Sequence, residues 1–277
     1  MNTPVFSVII PTYNRAYVLA EAVNSVINQT FRDFELIIVD DNSDDDTYEV
    51  LKNITDKRVK LYRNERTKGP SGARNVGIYR ANAEWIVFLD SDDIWKPEML
   101  ESVYRAVSRC DNNIGLIHTG YALSDKSCRN IKPIDKRNRR GNLFNNLIYK
   151  NCIGTFSCVA VRTQIARRIG GLDENIIGIE DWDFYLRVSR IANIEVIPEI
   201  LLYYRNNFGD NLTLDNEKIL SNIVLFRRKF QDEIDSHPTA KYKLANQICL
   251  YAFKTYRWRL FFKYLPATVG AFGKGVW

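Results

Sequence analysis

The sequence predicts an α/β fold built on a mainly parallel β-sheet with helices on both faces. Two observations lead to this prediction. Through the first hundred residues, short β-branched apolar segments alternate with segments whose apolar residues recur at helical spacing. The strand segments are apolar at consecutive positions, which is the pattern of strands that are buried on both faces. With 277 residues, the chain has room for one large domain and an appendage.

The first half of the chain contains four predicted strands that are joined by helices. The first strand is expected to end before Pro11, and Ser43 is expected to cap the second helix. Pro97 is expected to open the fourth helix, because proline is tolerated in the first helical turn. The strands are predicted at 5–10, 35–39, 59–62 and 85–89, and the first and third helices at 16–28 and 71–80. Right-handed crossovers between these strands should make them parallel.

The second half is less regular. Residues 124–140 are polar and rich in Lys and Arg, which predicts a mobile surface loop. The other predicted elements are strands at 114–121, 155–161, 194–197 and 201–204 and helices at 181–190, 215–235 and 239–262. We divide the chain into a domain over 1–212, with halves at 1–110 and 111–212, and a helical extension over 213–277.

The charge of the chain is concentrated in its last segment. The formal net charge is +6, and residues 236–277 carry seven basic and no acidic residues. The first 235 residues hold 32 basic and 33 acidic residues, so the body of the protein is close to neutral. This distribution argues against a nucleic-acid binder whose whole surface is cationic.

Several features of the sequence predict a cytoplasmic protein. The N-terminal segment lacks the basic region and the cleavage site of a signal peptide. No apolar run approaches the roughly 18 residues that are needed to span a bilayer. The five cysteines are scattered without CxxC spacing, which is typical of reduced thiols rather than of a disulfide or zinc framework.

Three acidic clusters fall at the ends of predicted elements. They are Asp40-Asp41, Asp90-Ser91-Asp92-Asp93 and Glu180-Asp181. Because ligands of open α/β sheets bind beyond the carboxyl ends of the strands, the first two clusters should face one crevice. Neighbouring carboxylates repel one another unless a cation joins them. The sequence therefore predicts a divalent metal, Mn²⁺ or Mg²⁺, which is bound together with phosphate groups.

Five short motifs occur in a fixed order along the chain. They are SVIIPTYNR at 7–15, DDNS at 40–43, GARNVG at 72–77, FLDSDD at 88–93 and EDWD at 180–183. Each motif alone is weakly specific, but together they resemble glycosyltransferase family 2 over about residues 5–205. The resemblance implies the GT-A fold and a metal-dependent transfer of a sugar from a nucleoside-diphosphate sugar, with inversion at the anomeric carbon.

The resemblance also implies roles for individual residues. Asp41 matches a carboxylate that accepts the N3–H of uracil, so a UDP-sugar is the expected donor, although thymine offers the same group. Arg74 matches a residue near the diphosphate, where a guanidinium can bind two oxygens. Asp92 is the expected metal ligand of the D-x-D element, and Asp93 is a second candidate. The remaining expected donor-binding residues are Pro11, Thr12, Tyr13, Asp90 and Ser91.

Asp181 matches the catalytic base of the family. It would remove the proton of an acceptor hydroxyl, and Glu180 and Trp182 are expected beside it in the acceptor region. The resemblance implies a glycan acceptor, and relatives that extend lipid-linked oligosaccharides indicate bacterial surface polysaccharide synthesis, such as O-antigen or capsule. Two other functions stay open, a catalytically silent sugar-nucleotide or glycan-binding module and a metal-dependent nucleotidyltransferase.

The basic extension interleaves cations with aromatic residues. It would pack on the domain as an ordinary amphipathic helix, or lie on an anionic membrane at the inner face of the cell membrane. Nucleic-acid binding ranks below both hypotheses because no RNA- or DNA-binding motif accompanies the extension.

Overall fold

The nine strands of the described residues form one mixed sheet that is flanked by helices. A computed structural model describes residues 3–128, 131–134, 139–205 and 216–269. The strands are β1 Phe6–Thr12, β2 Phe34–Asp40, β3 Val59–Arg63, β4 Trp85–Phe88, β5 Ile94–Trp95, β6 Ile114–Ser124, β7 Ile131–Ile134, β8 Val159–Arg162 and β9 Asn193–Arg205. The strand order is β3-β2-β1-β4-β8-β6-β9-β5, and β7 pairs with β6.

The helices connect the first strands and then form the C-terminal part of the described chain. They are α1 Leu19–Ile27, α2 Thr47–Lys52, α3 Pro70–Arg80, α4 Met99–Val107, α5 Phe144–Leu147, α6 Thr163–Arg168, α7 Glu180–Ser189, α8 Asn216–Lys229, α9 Gln231–Ser236, α10 Pro238–Lys254 and α11 Trp258–Val269. Among the described residues, no helix combines the length and the apolar character that spanning a membrane requires.

The predicted α/β architecture is confirmed, and its parallel part is the first half of the chain. Strands β1 to β4 are parallel neighbours, as the helix crossovers require. Beyond β4 the sheet is mixed, because β8 inserts antiparallel between β4 and β6 and β9 then runs parallel to β6. Here the connections are not simple strand–helix–strand crossovers, so strand direction is free to reverse.

Several predicted element boundaries are wrong in detail. Strand β1 continues through Pro11 to Thr12, and α4 begins two residues after Pro97. Ser43 does not cap α2, which begins only at Thr47. The predicted strands at 194–197 and 201–204 are one irregular strand, β9, and the two predicted long helices are four. The strand at 155–161 starts with a 3-10 turn over Phe156–Cys158.

The predicted loop at 124–140 contains strand β7, which pairs antiparallel with the end of β6. Residues 129–130 and 135–138 of this segment lie outside the described residues, as do 206–215 and 270–277. The extension packs on the domain along one side. Leu244, Ile248 and Ala252 of α10 are buried with Phe226 of α8 in the main core.

Candidate active site

A cavity of about 850 Å³ opens beyond the carboxyl ends of β1, β2 and β4. Ten of the twelve residues that the sequence predicts for binding or catalysis line it, and Asp93 and Trp182 do not. The ten are Pro11, Thr12, Tyr13, Asp41, Arg74, Asp90, Ser91, Asp92, Glu180 and Asp181. The fold therefore brings all five sequence motifs to one place.

Two tight loops form one wall of this cavity. Asn14, after β1, and Asn42, after β2, both adopt positive φ (50° and 60°), a conformation that Asn tolerates better than most residues. The hydroxyl of Ser43 donates to Asp40 (2.5 Å) and accepts the backbone N–H of Asn14 (3.0 Å). Ser43 therefore ties the two loops together instead of capping a helix.

Asp41 and Tyr13 both line the cavity. Its two carboxylate oxygens accept from the side-chain amide of Asn64 (2.5 Å) and from the backbone N–H of Gly69 (2.7 Å). Lys68 donates to the Tyr13 hydroxyl (3.2 Å), and its ammonium lies 4.4 Å from the centre of that ring. A carboxylate that is held by two fixed donors keeps further lone pairs for a ligand.

Arg74 belongs to α3 and lines the cavity. Its guanidinium donates to Asp90 (2.5 Å), lies 3.5 Å from a carboxylate oxygen of Glu180, and stacks 4.6 Å above the ring of Phe156. The side chain is buried, yet its Nε and Nη1 make no hydrogen bond within the described residues. Buried donors without acceptors are costly, so this guanidinium is equipped to bind an anion.

The three acidic residues after β4 take three different positions. Asp90 pairs with Arg74, and Asp92 lines the cavity. Burial and the neighbouring charge of Asp90 raise the pKa of Asp92. Asp93 is fully buried below the cavity, where its carboxylate accepts from the Ser157 hydroxyl (2.5 Å) and the backbone N–H of Arg205 (3.0 Å). The geometry does not favour Asp93 as a metal ligand, because both of its oxygens bind protein groups.

The cavity could hold a metal ion only if the protein supplied few of its ligands. The described residues contain no cluster of three or more His, Cys, Asp or Glu side chains that could hold an ion. Of the two acidic side chains of the D-x-D element, Asp90 pairs with Arg74, whereas Asp92 lines the cavity without pairing with that arginine. Mg²⁺ and Mn²⁺ often take one or two carboxylates and complete their shells with phosphate oxygens and water. The donor set therefore fits an ion that is bound together with a diphosphate.

Asp181 is the second residue of α7 and lines the same cavity as Asp41. One of its oxygens accepts the backbone N–H of Trp182 (2.6 Å), and the other accepts the side-chain amide of Asn151 (2.9 Å). Burial and then the charge of Glu180 raise the pKa of Asp181 to about 7. A carboxylate with a pKa near neutrality is suited to accept a proton from a substrate.

The other two acceptor-region predictions have different outcomes. Glu180 lines the cavity and accepts the backbone N–H of Gly178 (2.5 Å). Trp182 points away from the cavity: its indole donates to the carbonyl of Leu147 (2.5 Å) and its ring packs 4.4 Å from that of Phe226. Trp182 therefore joins α7 to α8 rather than contacting the cavity.

Sequence reasoning missed several residues of this site. Tyr121, Tyr204 and Arg205 line the cavity from β6 and β9, and Lys68 lines it from the loop before α3. Asn151 contacts Asp181 and also accepts the backbone N–H groups of Ile153 (3.1 Å) and Gly154 (3.0 Å). None of these residues belongs to one of the five motifs, so only the fold identifies them.

The five motifs, their order and their convergence define a glycosyltransferase. Residues 7–170 match the family model described as Glycosyl transferase family 2. The chain belongs to glycosyltransferase family 2.

Three relatives illustrate this membership. A glycosyltransferase of Haemophilus influenzae is 38% identical over 136 residues, which are 48% of this chain and 54% of that protein. One of Rickettsia conorii is 32% identical over 219 residues, 79% of this chain and 35% of that protein. The Escherichia coli UDP-Glc:alpha-D-GlcNAc-diphosphoundecaprenol beta-1,3-glucosyltransferase WfgD is 31% identical over 198 residues, 71% and 74% of the two chains. The chain thus spans about half or less of the first two relatives.

Solved structures show the same fold. Staphylococcus aureus TarS 1-349 in complex with UDP-GlcNAc matches with a TM-score of 0.69 and 22% identity, over 90% of this chain and 72% of that one. The mannosyltransferase PcManGT of Pyrobaculum calidifontis, in complex with GDP-Man and Mn²⁺, matches with a TM-score of 0.65 and 16% identity, over 100% and 77%. The expected GT-A fold is confirmed.

Proposed function

We propose that this protein is an inverting glycosyltransferase that moves a sugar from a UDP-sugar to a hydroxyl group of a lipid-linked glycan. One observation carries the proposal. Asp181, whose pKa is about 7, shares a cavity with the partly unsatisfied guanidinium of Arg74. The first group removes a proton and the second binds an anionic leaving group, which are the two requirements of glycosyl transfer.

The nucleotide binds at the end of the cavity that holds Asp41 and Tyr13. The Asp41 carboxylate accepts the N3–H of uracil, and the ring of Tyr13 contacts the base. The buried hydroxyl of Thr12 has no partner among the described residues and offers a further hydrogen bond to the nucleoside. Uridine nucleotides also occur in the names of the relative WfgD and of the TarS complex.

The diphosphate binds to Arg74. The Nε and Nη1 groups of its guanidinium, which make no hydrogen bond within the described residues, donate to phosphate oxygens, and they balance the negative charge that grows as the bond from the sugar to the diphosphate breaks. Asp92 would hold a Mn²⁺ or Mg²⁺ ion, and such an ion, when bound, offsets further charge on the diphosphate. Asp90 orients Arg74 through their hydrogen bond.

Asp181 acts on the acceptor. It takes the proton of the acceptor hydroxyl while that oxygen forms a bond to the anomeric carbon, and the carbon's bond to the diphosphate breaks on the opposite face. One carboxylate base is sufficient for this single displacement, in contrast to the paired carboxylates of glycoside hydrolases. The anomeric configuration is inverted as a consequence.

A glycan on a polyprenyl-diphosphate lipid is the acceptor that we propose, within bacterial surface polysaccharide synthesis. The name of WfgD specifies an undecaprenol-linked acceptor, and WfgD and this chain cover more than 70% of each other. An acceptor of this kind places the enzyme at the cytoplasmic face of the cell membrane as a peripheral protein.

A donor screen tests the proposal. The full chain is incubated with individual UDP-, dTDP- and GDP-sugars and a polyprenyl-diphosphate sugar acceptor, with and without Mn²⁺, and released nucleoside diphosphate is measured. We expect turnover with a UDP-sugar and a product of inverted anomeric configuration by NMR. Absence of turnover with every donor, metal and acceptor would contradict the proposal. The Asp181→Asn variant is the matched control for acceptor-dependent release.

A further inference from the structure

The end of α10 and the start of α11 form an exposed aromatic surface. Its members are 45% to 77% exposed, and we call them the aromatic knuckle: Phe253, Tyr256, Trp258 and Phe262. The ring centres of Phe253 and Trp258 lie 5.6 Å apart, and those of Tyr256 and Trp258 lie 6.4 Å apart. The rings of Phe253, Tyr256 and Trp258 are therefore neighbours rather than scattered single residues, and the ring of Phe262 lies 5.4 Å from that of Phe261. Contiguous apolar surface of this kind marks an interaction site.

Four cations accompany the aromatic knuckle. They are the exposed side chains of Lys254, Arg257, Arg259 and Lys263. Arg257 is paired with Glu217 (3.2 Å). The other three form no ion pair within the part of the chain that the structure describes, and the segment from 236 to 277 contains no acidic residue. The rings are thus surrounded by positive charge that no neighbouring carboxylate of the segment balances.

The extension divides into a packed side and an exposed side. Leu244, Ile248 and Ala252 of α10 are buried in the core, and Phe261 of α11 packs against the same core. The exposed rings lie outside this contact, so the fold is complete without covering them. A surface with Trp, Tyr and Phe between Lys and Arg is typical of segments that lie in a membrane interface.

From this surface we infer that the aromatic knuckle docks on an anionic lipid bilayer, with its rings in the headgroup region and its cations on lipid phosphates. The positive charge around the rings favours an anionic bilayer over a second copy of the chain as the partner of this surface. A second copy of the chain, docked through the same surface, would bring like charges together, because a two-fold interface uses the same patch twice. A bilayer offers both an apolar layer for the rings and a continuous negative surface for the cations.

This inference rests on the proposed function for its biological setting, because a lipid-linked acceptor is what makes membrane binding useful to the enzyme. A soluble domain that acts on a lipid-linked acceptor gains from a second contact with the membrane, because that contact raises the local concentration of acceptor. The binding itself needs neither donor nor catalysis, so it is measured independently of the enzyme activity.

Vesicle flotation of the full chain tests the inference. The vesicles contain phosphatidylcholine alone or with about 30 mol% phosphatidylglycerol, at low and high salt. We expect flotation with the anionic vesicles at low salt and its decrease at high salt. Two triple variants separate the contributions of charge and of aromatic rings to vesicle binding. The charge variant is Lys254→Glu/Arg259→Glu/Lys263→Glu. The ring variant is Phe253→Ser/Trp258→Ser/Phe262→Ser. Each should weaken partitioning by about tenfold or more.

A matched control reverses three exposed cations elsewhere, Lys57→Glu/Arg109→Glu/Arg168→Glu. This control has the same net charge as the first variant and should still float. Circular dichroism and thermal unfolding establish that all variants fold. Three results would overturn the inference. The first is that the knuckle charge variant and the control charge variant float equally, and the second is that the chain binds neutral vesicles as well as anionic ones. The third is that the chain associates with itself and that the ring variant abolishes this association. Turnover on a water-soluble acceptor reports separately on the proposed function.

Discussion

At the scale of single residues, Asp181 combines burial of its carboxylate with a position that lines the cavity. Its raised pKa, about 7, has burial as the largest cause and the charge of Glu180 as the second. A base must be deprotonated to act, so kcat/KM should rise with pH through about 7. Asp181→Asn should lower turnover by about 10²- to 10⁴-fold and leave UDP binding intact. Steady-state kinetics and calorimetric titration with UDP check both parts, and an unchanged rate would remove Asp181 as the base.

Two neighbours of Asp181 should shift this pH profile in opposite directions. Asn151 donates to the carboxylate (2.9 Å), and because a lost donor disfavours the charged form, Asn151→Ala should raise the pKa of Asp181. Glu180→Gln removes a negative charge that raises this pKa, and should lower it. The acidic limb of the kcat/KM profile should move to higher pH in the first variant and to lower pH in the second. Shifts of the two variants in the same direction would contradict the assignment of this limb to Asp181.

Asp92 and Asp93 are adjacent in the sequence but differ in accessibility. Asp92 lines the cavity, whereas Asp93 is fully buried with Ser157. Asp92→Asn should abolish the part of UDP affinity that depends on Mn²⁺ and leave the metal-free part unchanged, which titrations with and without the ion measure. Asp93→Asn should instead affect the free energy of unfolding. If Asp92→Asn retains the full effect of Mn²⁺, Asp92 is not the ligand.

At the scale of elements, the contact between α7 and α8 supports the side of the cavity that Asp181 lines. Trp182 of α7 packs on Phe226 of α8, which is fully buried and also contacts Phe230 (4.8 Å between ring centres). Phe226→Ala should lower the free energy of unfolding by about 3–5 kcal/mol, since it leaves a cavity in the core. Phe262→Ala is the matched control: its ring is 64% exposed, and the change should stay within about 0.5 kcal/mol.

Denaturant unfolding of the two variants provides the measurement. A small loss of stability in Phe226→Ala would mean that α8 does not belong to the core of the domain.

Trp182 itself was expected in the acceptor region, and its position illustrates a limit of motif reasoning. The motif places Trp182 one residue from Asp181, but successive residues on a helix point about 100° apart, so the two side chains reach different surroundings.

The elements of the first half were predicted closely and those of the second half less so. Strands β1, β2 and β4 are mostly apolar and buried along their whole length, and this pattern is local in the chain. Strand β9 was predicted as two pieces because Pro198 and Glu199 interrupt its apolar pattern, yet β6 keeps pairing along its length with register shifts. Long-range pairing thus overrode the local signal.

At the scale of the whole molecule, one cavity is built from both halves of the chain. Tyr13 and Asp41 come from the first half, and Tyr121, Asp181 and Tyr204 come from the second. Ligands that bind only the folded state stabilise it, by about 2.7 kcal/mol at a hundredfold excess over Kd. UDP with Mn²⁺ should therefore raise the Tm of the entire domain in a single transition. Thermal scans with adenosine diphosphate serve as the control, and an equal rise with both would contradict a uracil pocket.

The sequence by itself determined the family, the α/β class and the ten predicted site residues that line the cavity, because these signals are short and local in the chain. The tertiary structure alone decided which neighbours in a motif reach the cavity, and it separated Asp92 from Asp93 and Asp181 from Trp182. It also supplied Asn151, which lies 30 residues from Asp181 in the chain and contacts it only in the fold. The physical reason is that burial and hydrogen bonding depend on segments distant in the sequence, whose approach no local pattern records.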